Sequence, residues 1–264
     1  MSQYLRGSTF KILFIAAVMF TYGFSSGHFK IFPYKIIDNI HTAIIQTIHP
    51  AKKVDNKINQ KQPIKQGNKH LQSPYYLGKL SLFKQLKTSP DYIIIGDSLI
   101  DGADWHELLN GVSIINRGIA GDTTFGVLNR IENSLALKPK KLFIMIGIND
   151  LKWGFSIEQS IDNYKQILAT IKKSKINTTV LSVIYPGKFN QEKYLKKFGG
   201  DLQKRVQLFN KELEEECSKQ GIDYVDVNSS FIENGFLKEE FSFDGLHLNG
   251  LAYVKFAELL HNYL

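Results

Sequence analysis

Hydrophobic positions follow two regimes along the chain, with the change at Asp91. Beyond it, short apolar runs alternate with stretches of helical period. Tyr92-Ile93-Ile94-Ile95 is an unbroken run that ends in Gly96-Asp97-Ser98. A β-branched run closed by turn residues reads as a buried strand that delivers its last residues into a loop. Similar runs predict strands at 112–116, 142–147, 178–184 and 224–227. Helical spacing fills the gaps at 105–109, 125–135, 157–173, 202–220 and 251–263. In the third of these, Ile157, Ile161, Tyr164, Ile167, Leu168 and Ile171 share one face. Strands that are apolar throughout and separated by helices imply a parallel sheet covered on both faces, so the expected fold class is α/β.

Before Asp91 the pattern is different. Residues 1–11 are mostly polar, with Arg6 and Lys11, and 12–24 are almost wholly apolar. A basic start followed by an apolar core has the form of a secretory signal. Only Ser25, Ser26 and Gly27 offer small residues for cleavage, which favours an uncleaved signal anchor over a cleaved peptide. Lys30 and Lys35 balance Arg6 and Lys11, so the charge bias leaves orientation open. Apolar residues at 36–48 recur at rough helical spacing up to Pro50, as in a helix lying on a membrane surface or covering part of the domain. Residues 51–73 are rich in Lys, Gln and Asn and read as a flexible tether. Residues 77–86 resemble a short helix leading into the first strand. The expected organisation is a signal anchor or signal peptide at 1–27, a basic membrane-proximal segment and linker at 28–75, and a catalytic domain at 76–264.

Composition narrows the classes. The 264 residues suit one sizeable domain with an appendage. The formal charge of +8 comes largely from the tether, where Lys52, Lys53, Lys57, Lys61, Lys65 and Lys69 meet only Asp55. Such a stretch is solvated or favours anionic headgroups. No zinc spacing, aromatic RNA-binding motif or basic recognition helix is present, so no nucleic-acid partner is expected. Cys217 is the sole cysteine, which rules out an intrachain disulfide.

Candidate chemistry gathers where the strands end. In an open parallel sheet, ligands bind beyond the carboxyl ends of the strands. Ser98 follows the first strand and is the candidate nucleophile. The second leads into Asn116-Arg117-Gly118-Ile119-Ala120-Gly121-Asp122-Thr123-Thr124. Its glycines allow close backbone approach, and either Asp122 or Thr123 is suited to cap the next helix. The third ends in Gly147-Ile148-Asn149-Asp150. Asn149 there is an uncharged donor suited to an oxyanion. Near the C-terminus, Asp244 and His247 stand three apart in Phe243-Asp244-Gly245-Leu246-His247. In this arrangement the histidine is a base and the carboxylate accepts its other N–H. His106, with Asp101 and Asp104 nearby, is the rival base, disfavoured because a helix would turn it toward the sheet.

Gly-Asp-Ser-Leu after strand one, a glycine-rich turn after strand two, Gly-x-Asn-Asp after strand three and Asp-x-x-His before the last helix together resemble the SGNH hydrolases, or GDSL esterase/lipase family. The likeness covers roughly 92–264. Its Ala-Gly-Asp-Thr-Thr segment is most similar to the platelet-activating-factor acetylhydrolase-like and lysophospholipase-like branch. The resemblance implies a three-layer α/β/α, flavodoxin-like sandwich with a five-stranded parallel sheet. It further implies a Ser98–His247–Asp244 triad and an oxyanion hole made by the Ser98 and Gly121 N–H groups and the Asn149 amide. No metal or cofactor is expected. The substrate expected is a small-molecule, glycan or lipid ester, with a short-acyl, O-acetyl or lysophospholipid-type bond. Acyl transfer to another alcohol is the alternative activity, and a non-catalytic glycan- or lipid-binding module is the alternative class. The N-terminal segment implies a membrane partner and a domain on the extracytoplasmic side, secreted if that segment is cleaved. Lys188, Lys193, Lys196 and Lys197 make the region after strand four basic, as an anion-attracting surface or a solvated charged loop. Leu99, Trp105, Trp153 and Phe155 are candidates for the acyl pocket or for core.

Overall fold

The alternating sides of the first strand set the architecture. In the computed structural model, which describes residues 66–198 and 200–264, Ile93 and Ile95 belong to one apolar cluster and Ile94 to another. Both faces of this strand are therefore buried, and each is covered by helices. Strand β1 (Tyr92–Gly96) lies between β2 (Ile114–Gly118) and β3 (Lys141–Met145), followed outward by β4 (Asn177–Leu181) and β5 (Asp223–Val225). The order is β2-β1-β3-β4-β5 and every pairing is parallel. The direction of winding reverses between β1 and β3, which opens a crevice beyond their carboxyl ends.

Helices Thr124–Leu135, Ile157–Ser174 and Leu202–Gln220 pack on one face of the sheet. Trp105–Leu108 and Gly250–His261 pack on the other, with the hairpin strands Ile232–Glu233 and Phe236–Leu237. The five-stranded parallel sheet and the three layers agree with the expected fold. The apolar segments at 12–24 and 36–48 lie outside the described residues, and among the described residues no helix is long and apolar enough to cross a membrane.

Several boundaries differ from the sequence reading. Strand β2 sits two positions later than 112–116, because pairing with β1 places Gly118 opposite Gly96. The helix before β1 is Pro74–Gln85, opened by Ser73, whose side chain accepts from the Tyr76 amide. The tether expected up to Ser73 gives way earlier, since Gln66–Gln72 forms a 3-10 helix. Its Leu71 packs against Tyr76, Phe83 and Ile119. The basic segment after β4 is a helix, Lys188–Phe198, rather than a loop. Tyr194 inserts from it into the core and donates to the Leu151 carbonyl at 3.1 Å.

Buried polar groups tie the strand ends together. Arg130, on the helix after β2, is buried and pairs with buried Asp122 at 2.7 Å. It also donates to the Arg117 carbonyl at 2.8 Å and the Gly96 carbonyl at 3.1 Å. Removing one member of such a pair strands a charge in the interior and costs about 3–5 kcal/mol. Arg130→Ala is therefore expected to lose unfolding free energy of that size, read as a lower urea midpoint. A midpoint within experimental error of wild type would show that Asp122 finds its stabilisation elsewhere.

Candidate active site

Ser98 opens a short helix, Ser98–Asp101, directly off β1. Asp97 caps it, its carboxylate accepting from the Leu99 amide at 3.0 Å. The helix lies tight against the sheet because Gly96 and Gly118, paired across β1 and β2, have no side chain. A Cβ at Gly96 would collide with Ile100 and the Met145 carbonyl, and one at Gly118 with the Asp101 backbone. Asn116 completes the attachment, donating to the Ile100 carbonyl at 2.8 Å and the Ala103 carbonyl at 2.9 Å. At the first helical position the Ser98 N–H has no intrahelical acceptor and points away from the helix.

The structure brings Ser98, His247 and Asp244 into one hydrogen-bonded line. His247 Nε2 lies 3.1 Å from Ser98 Oγ, and His247 Nδ1 lies 2.7 Å from Asp244 Oδ2. The other Asp244 oxygen accepts from the amides of Leu246 at 2.9 Å and His247 at 2.8 Å. Burial alone would raise the Asp244 carboxyl, but the His247 amide and ring and the Leu246 amide outweigh it and hold it below its ordinary value. Asp244 thus stays ionised and fixes the tautomer that leaves Nε2 free to accept from Ser98. Phe243, 73% exposed, stacks beside His247 with ring centroids 6.1 Å apart and an interplanar angle of 15°.

Gly121 and Asn149 stand on the neighbouring loops. Gly121 has φ +80°, a left-handed conformation natural to glycine. Thr123 caps the next helix by accepting from the Gly126 amide at 3.2 Å, while Asp122 turns inward to Arg130. Asn149 is buried and gives one amide hydrogen to the Asp122 carbonyl at 2.9 Å. Among the described residues no acceptor holds its second hydrogen. The remaining candidates divide. Leu99, Trp105 and Phe155 are core residues, whereas Trp153 is half-buried beside Gly121. His106 is exposed and bonds to the Val112 carbonyl at 2.8 Å, so it faces solvent rather than the sheet. Among the described residues, no group of three His, Cys, Asp or Glu side chains is placed to hold a metal ion.

Sequence reading missed the supports. Asp150 is buried and accepts from the Thr124 hydroxyl at 2.5 Å and the Thr124 amide at 3.0 Å. Asn163 in turn donates to the Thr124 hydroxyl at 2.9 Å. The Asn-Asp pair after β3 thus sends one side chain toward the site and one into the frame. Burial pushes the carboxyls of Asp97 and Asp150 up to about 7 each, against the hydrogen bonds that favour their charge. A strand end followed by an acidic residue was the available signal, but a turn reading explained it equally well.

A profile of the GDSL-like Lipase/Acylhydrolase family matches residues 94–255. The platelet-activating factor acetylhydrolase IB subunit alpha2 of Gallus gallus is 28% identical over 182 residues, covering 65% of this chain and 75% of that protein. The crystal structure of a GDSL-like lipase from Bacteroides thetaiotaomicron superposes with a TM-score of 0.60 at 21% identity, covering 72% of this chain and 94% of that one. A catalytic mutant of an acetylxylan esterase from Geobacillus stearothermophilus superposes with a TM-score of 0.53 at 17% identity, covering 66% of this chain and 94% of that one.

The raised Asp97 carboxyl has a consequence for pH. The folded protein holds this proton up to about 7, whereas an ordinary carboxyl releases it near 3.8. The stability gained from the neutral form is therefore complete below 3.8 and is lost as pH rises toward 7. Asp97→Asn keeps the oxygen that caps Leu99 and removes the titration. Thermal melts at about pH 5 and about pH 8 should show a larger loss of stability for wild type than for the variant. Equal losses would mean that Asp97 does not titrate in this range.

Proposed function

Because the chain belongs to the GDSL-like Lipase/Acylhydrolase family and is an ester-bond hydrolase, we propose that it acts as a serine esterase through Ser98, His247 and Asp244. The observation that carries this reading is the continuous line from Ser98 Oγ through His247 to Asp244. In this mechanism His247 Nε2 takes the Ser98 proton as Oγ attacks the ester carbonyl. The resulting imidazolium sits against the ionised Asp244. Oxyanion charge develops toward the Ser98 and Gly121 N–H groups and the Asn149 amide. Collapse of the tetrahedral adduct releases the alcohol, which leaves with the proton held on His247. Water then enters, gives a proton to His247, attacks the acyl-enzyme and frees the acid and Ser98.

Oxyanion stabilisation works best when the donors are fixed before charge appears. The support for Asn149 in this role is its hydrogen bond to Asp122, which orients the amide without using both hydrogens. For the substrate we propose a short-acyl or O-acetyl ester, or a lysophospholipid-type ester. Its support is the acetyl chemistry named for the acetylhydrolase and the acetylxylan esterase to which this chain is similar. The apolar run at 12–24 behind Arg6 and Lys11 supports a membrane tether, and from its secretory-signal form we propose a domain on the extracytoplasmic side.

Hydrolysis of p-nitrophenyl acetate should vanish in Ser98→Ala, together with labelling by a fluorophosphonate probe. Activity equal to wild type in that variant removes the serine mechanism. Asn149→Ala should fold and lose roughly 10²–10³ in kcat, the usual effect of deleting one oxyanion donor. A variant with full turnover takes Asn149 out of the oxyanion hole.

A further inference from the structure

Trp153 adjoins both loops that carry the proposed oxyanion donors Gly121 and Asn149. It lies one helical turn beyond Asn149, its amide donating to the Asn149 carbonyl at 2.9 Å. Residues four apart share a helix face, so the indole follows the Asn149 side chain toward the site. On the other loop, a Cβ built on Gly121 would stand 3.9 Å from Trp153 Cη2. The edge of the indole thus lies beside Gly121.

Its position is fixed from an unexpected direction. His70, in the 3-10 helix Gln66–Gln72 that precedes the whole sheet, packs its ring on Trp153 with centroids 4.8 Å apart and an interplanar angle of 48°. The same imidazole meets the edge of Tyr76 at 5.7 Å, and its Nε2 lies 3.8 Å from buried Asp122. This segment is firmly held. Leu71 packs with Tyr76, Phe83 and Ile119. In the first half of the next helix, Tyr75 and Lys79 both bond to the Asp101 carboxylate, which also accepts from the Ala120 amide at 2.9 Å. His70 is therefore attached to the same loops that carry Ser98 and Gly121.

We infer that Trp153, braced by His70, is the wall that limits the length of the acyl chain. The inference rests on the serine-esterase reading. In that mechanism the leaving alcohol takes its proton from His247 and so lies on the His247 side, where Phe243 is exposed. The carbonyl oxygen faces Gly121 and Asn149, and the acyl chain, which leaves the same carbon away from the alcohol, is directed past those loops toward Trp153. A chain of a few carbons fits before the indole, and a longer one meets it. Trp153 is then a specificity-determining residue and His70 a positioning residue supplied from outside the sheet.

The test is the acyl-length profile of the full chain in detergent, with p-nitrophenyl acetate, butyrate and octanoate, each rate taken as the part abolished by Ser98→Ala. Wild type should favour acetate. Trp153→Ala should raise the octanoate-to-acetate ratio of kcat/KM by roughly tenfold or more, the discrimination that a few methylenes carry in an apolar pocket. His70→Ala should shift the ratio the same way by a smaller factor, and His70→Phe, which keeps an aromatic ring against the indole, should restore the wild-type ratio. Thermal melts on each variant separate a changed pocket from a damaged fold. A wild type that prefers octanoate, or a folded Trp153→Ala enzyme with an unchanged ratio, overturns the inference while leaving the esterase reading intact. A shifted Trp153→Ala with an unshifted His70→Ala removes the His70 part. Absence of any Ser98-dependent hydrolysis defeats the esterase reading itself, and this inference with it.

Discussion

A guanidinium in a dry interior must find acceptors for its donors, and the need of Arg130 for them holds the site loops in place. Its bonds go to the Gly96 carbonyl at the end of β1, to the Arg117 carbonyl at the end of β2, and to Asp122 in the turn that follows. Gly96 immediately precedes the Asp97-Ser98 step, and Asp122 immediately follows Gly121. One side chain therefore sets the spacing between the Ser98 loop and the Gly121 turn. Asn149 joins the same node from the third loop by donating to the Asp122 carbonyl. Arginine suits this position because its planar fork serves several acceptors at once and keeps its charge. The neighbouring Arg117 guanidinium is instead drawn over the Phe83 ring, 4.5 Å from its centroid, and burial followed by the charge of Arg130 lowers its pKa.

Around that node two buried carboxyl groups act as rigid spacers. Asp97 organises the first turn of the Ser98 helix, and Asp150 grips Thr124 at the start of the helix after β2. Each is costly to bury and each is satisfied by fixed N–H or O–H donors, the condition under which a buried polar group specifies one arrangement. This frame serves chemistry that needs little motion: donors already aimed where negative charge will form. The stability spent on burying these groups is recovered in the two apolar clusters on either side of the sheet, which contain Ile93, Ile95, Phe143 and Phe209 among fully buried side chains.

What the sequence made legible follows from what is local. The apolar runs mark the strands because both sheet faces are covered, and the residues at their carboxyl ends stand out as breaks in the run. Ser98 and Asn149 were visible in this way, whereas Asp244 and His247 were visible by their spacing of three ahead of the last helix. The register of β2 was not, because the last three residues of the paired strand are Asn116-Arg117-Gly118 rather than an apolar run. Those polar residues enter the ladder only because the Asn116 side chain anchors the Ser98 helix and Arg117 lies over Phe83. The helix Lys188–Phe198 was equally hidden, since Tyr194 is its buried aromatic and the rest reads as a solvated basic run. Trp153 could be named as a candidate but not separated from core. His70 carried no signal at all, because its place against Trp153 is a product of tertiary packing some eighty residues along the chain.

The site is built in two halves that differ in kind. The half holding Ser98, Gly121 and Asn149 is knit by Arg130, Asp122, Asp150 and Thr124, all buried. The half holding Asp244 and His247 is a single loop that satisfies itself. Ser242 accepts from the Gly245 amide at 2.9 Å and donates to the His247 carbonyl at 2.7 Å, while Asp244 accepts from the amides of Leu246 and His247. This loop is clipped to the basic helix region where the Gly187 amide donates to the Gly245 carbonyl at 2.7 Å. Among the described hydrogen bonds, the one that crosses between the halves is His247 Nε2 to Ser98 Oγ. That division fits the demands of a proton shuttle. In the proposed mechanism the oxyanion donors must not move, and they sit in the half held by buried groups. The imidazole must serve first the serine and then the leaving alcohol and water, and its side chain, like that of Asp244, is 35–39% exposed. A base carried on its own self-bonded loop can tilt between those partners without disturbing the frame that stabilises the charge.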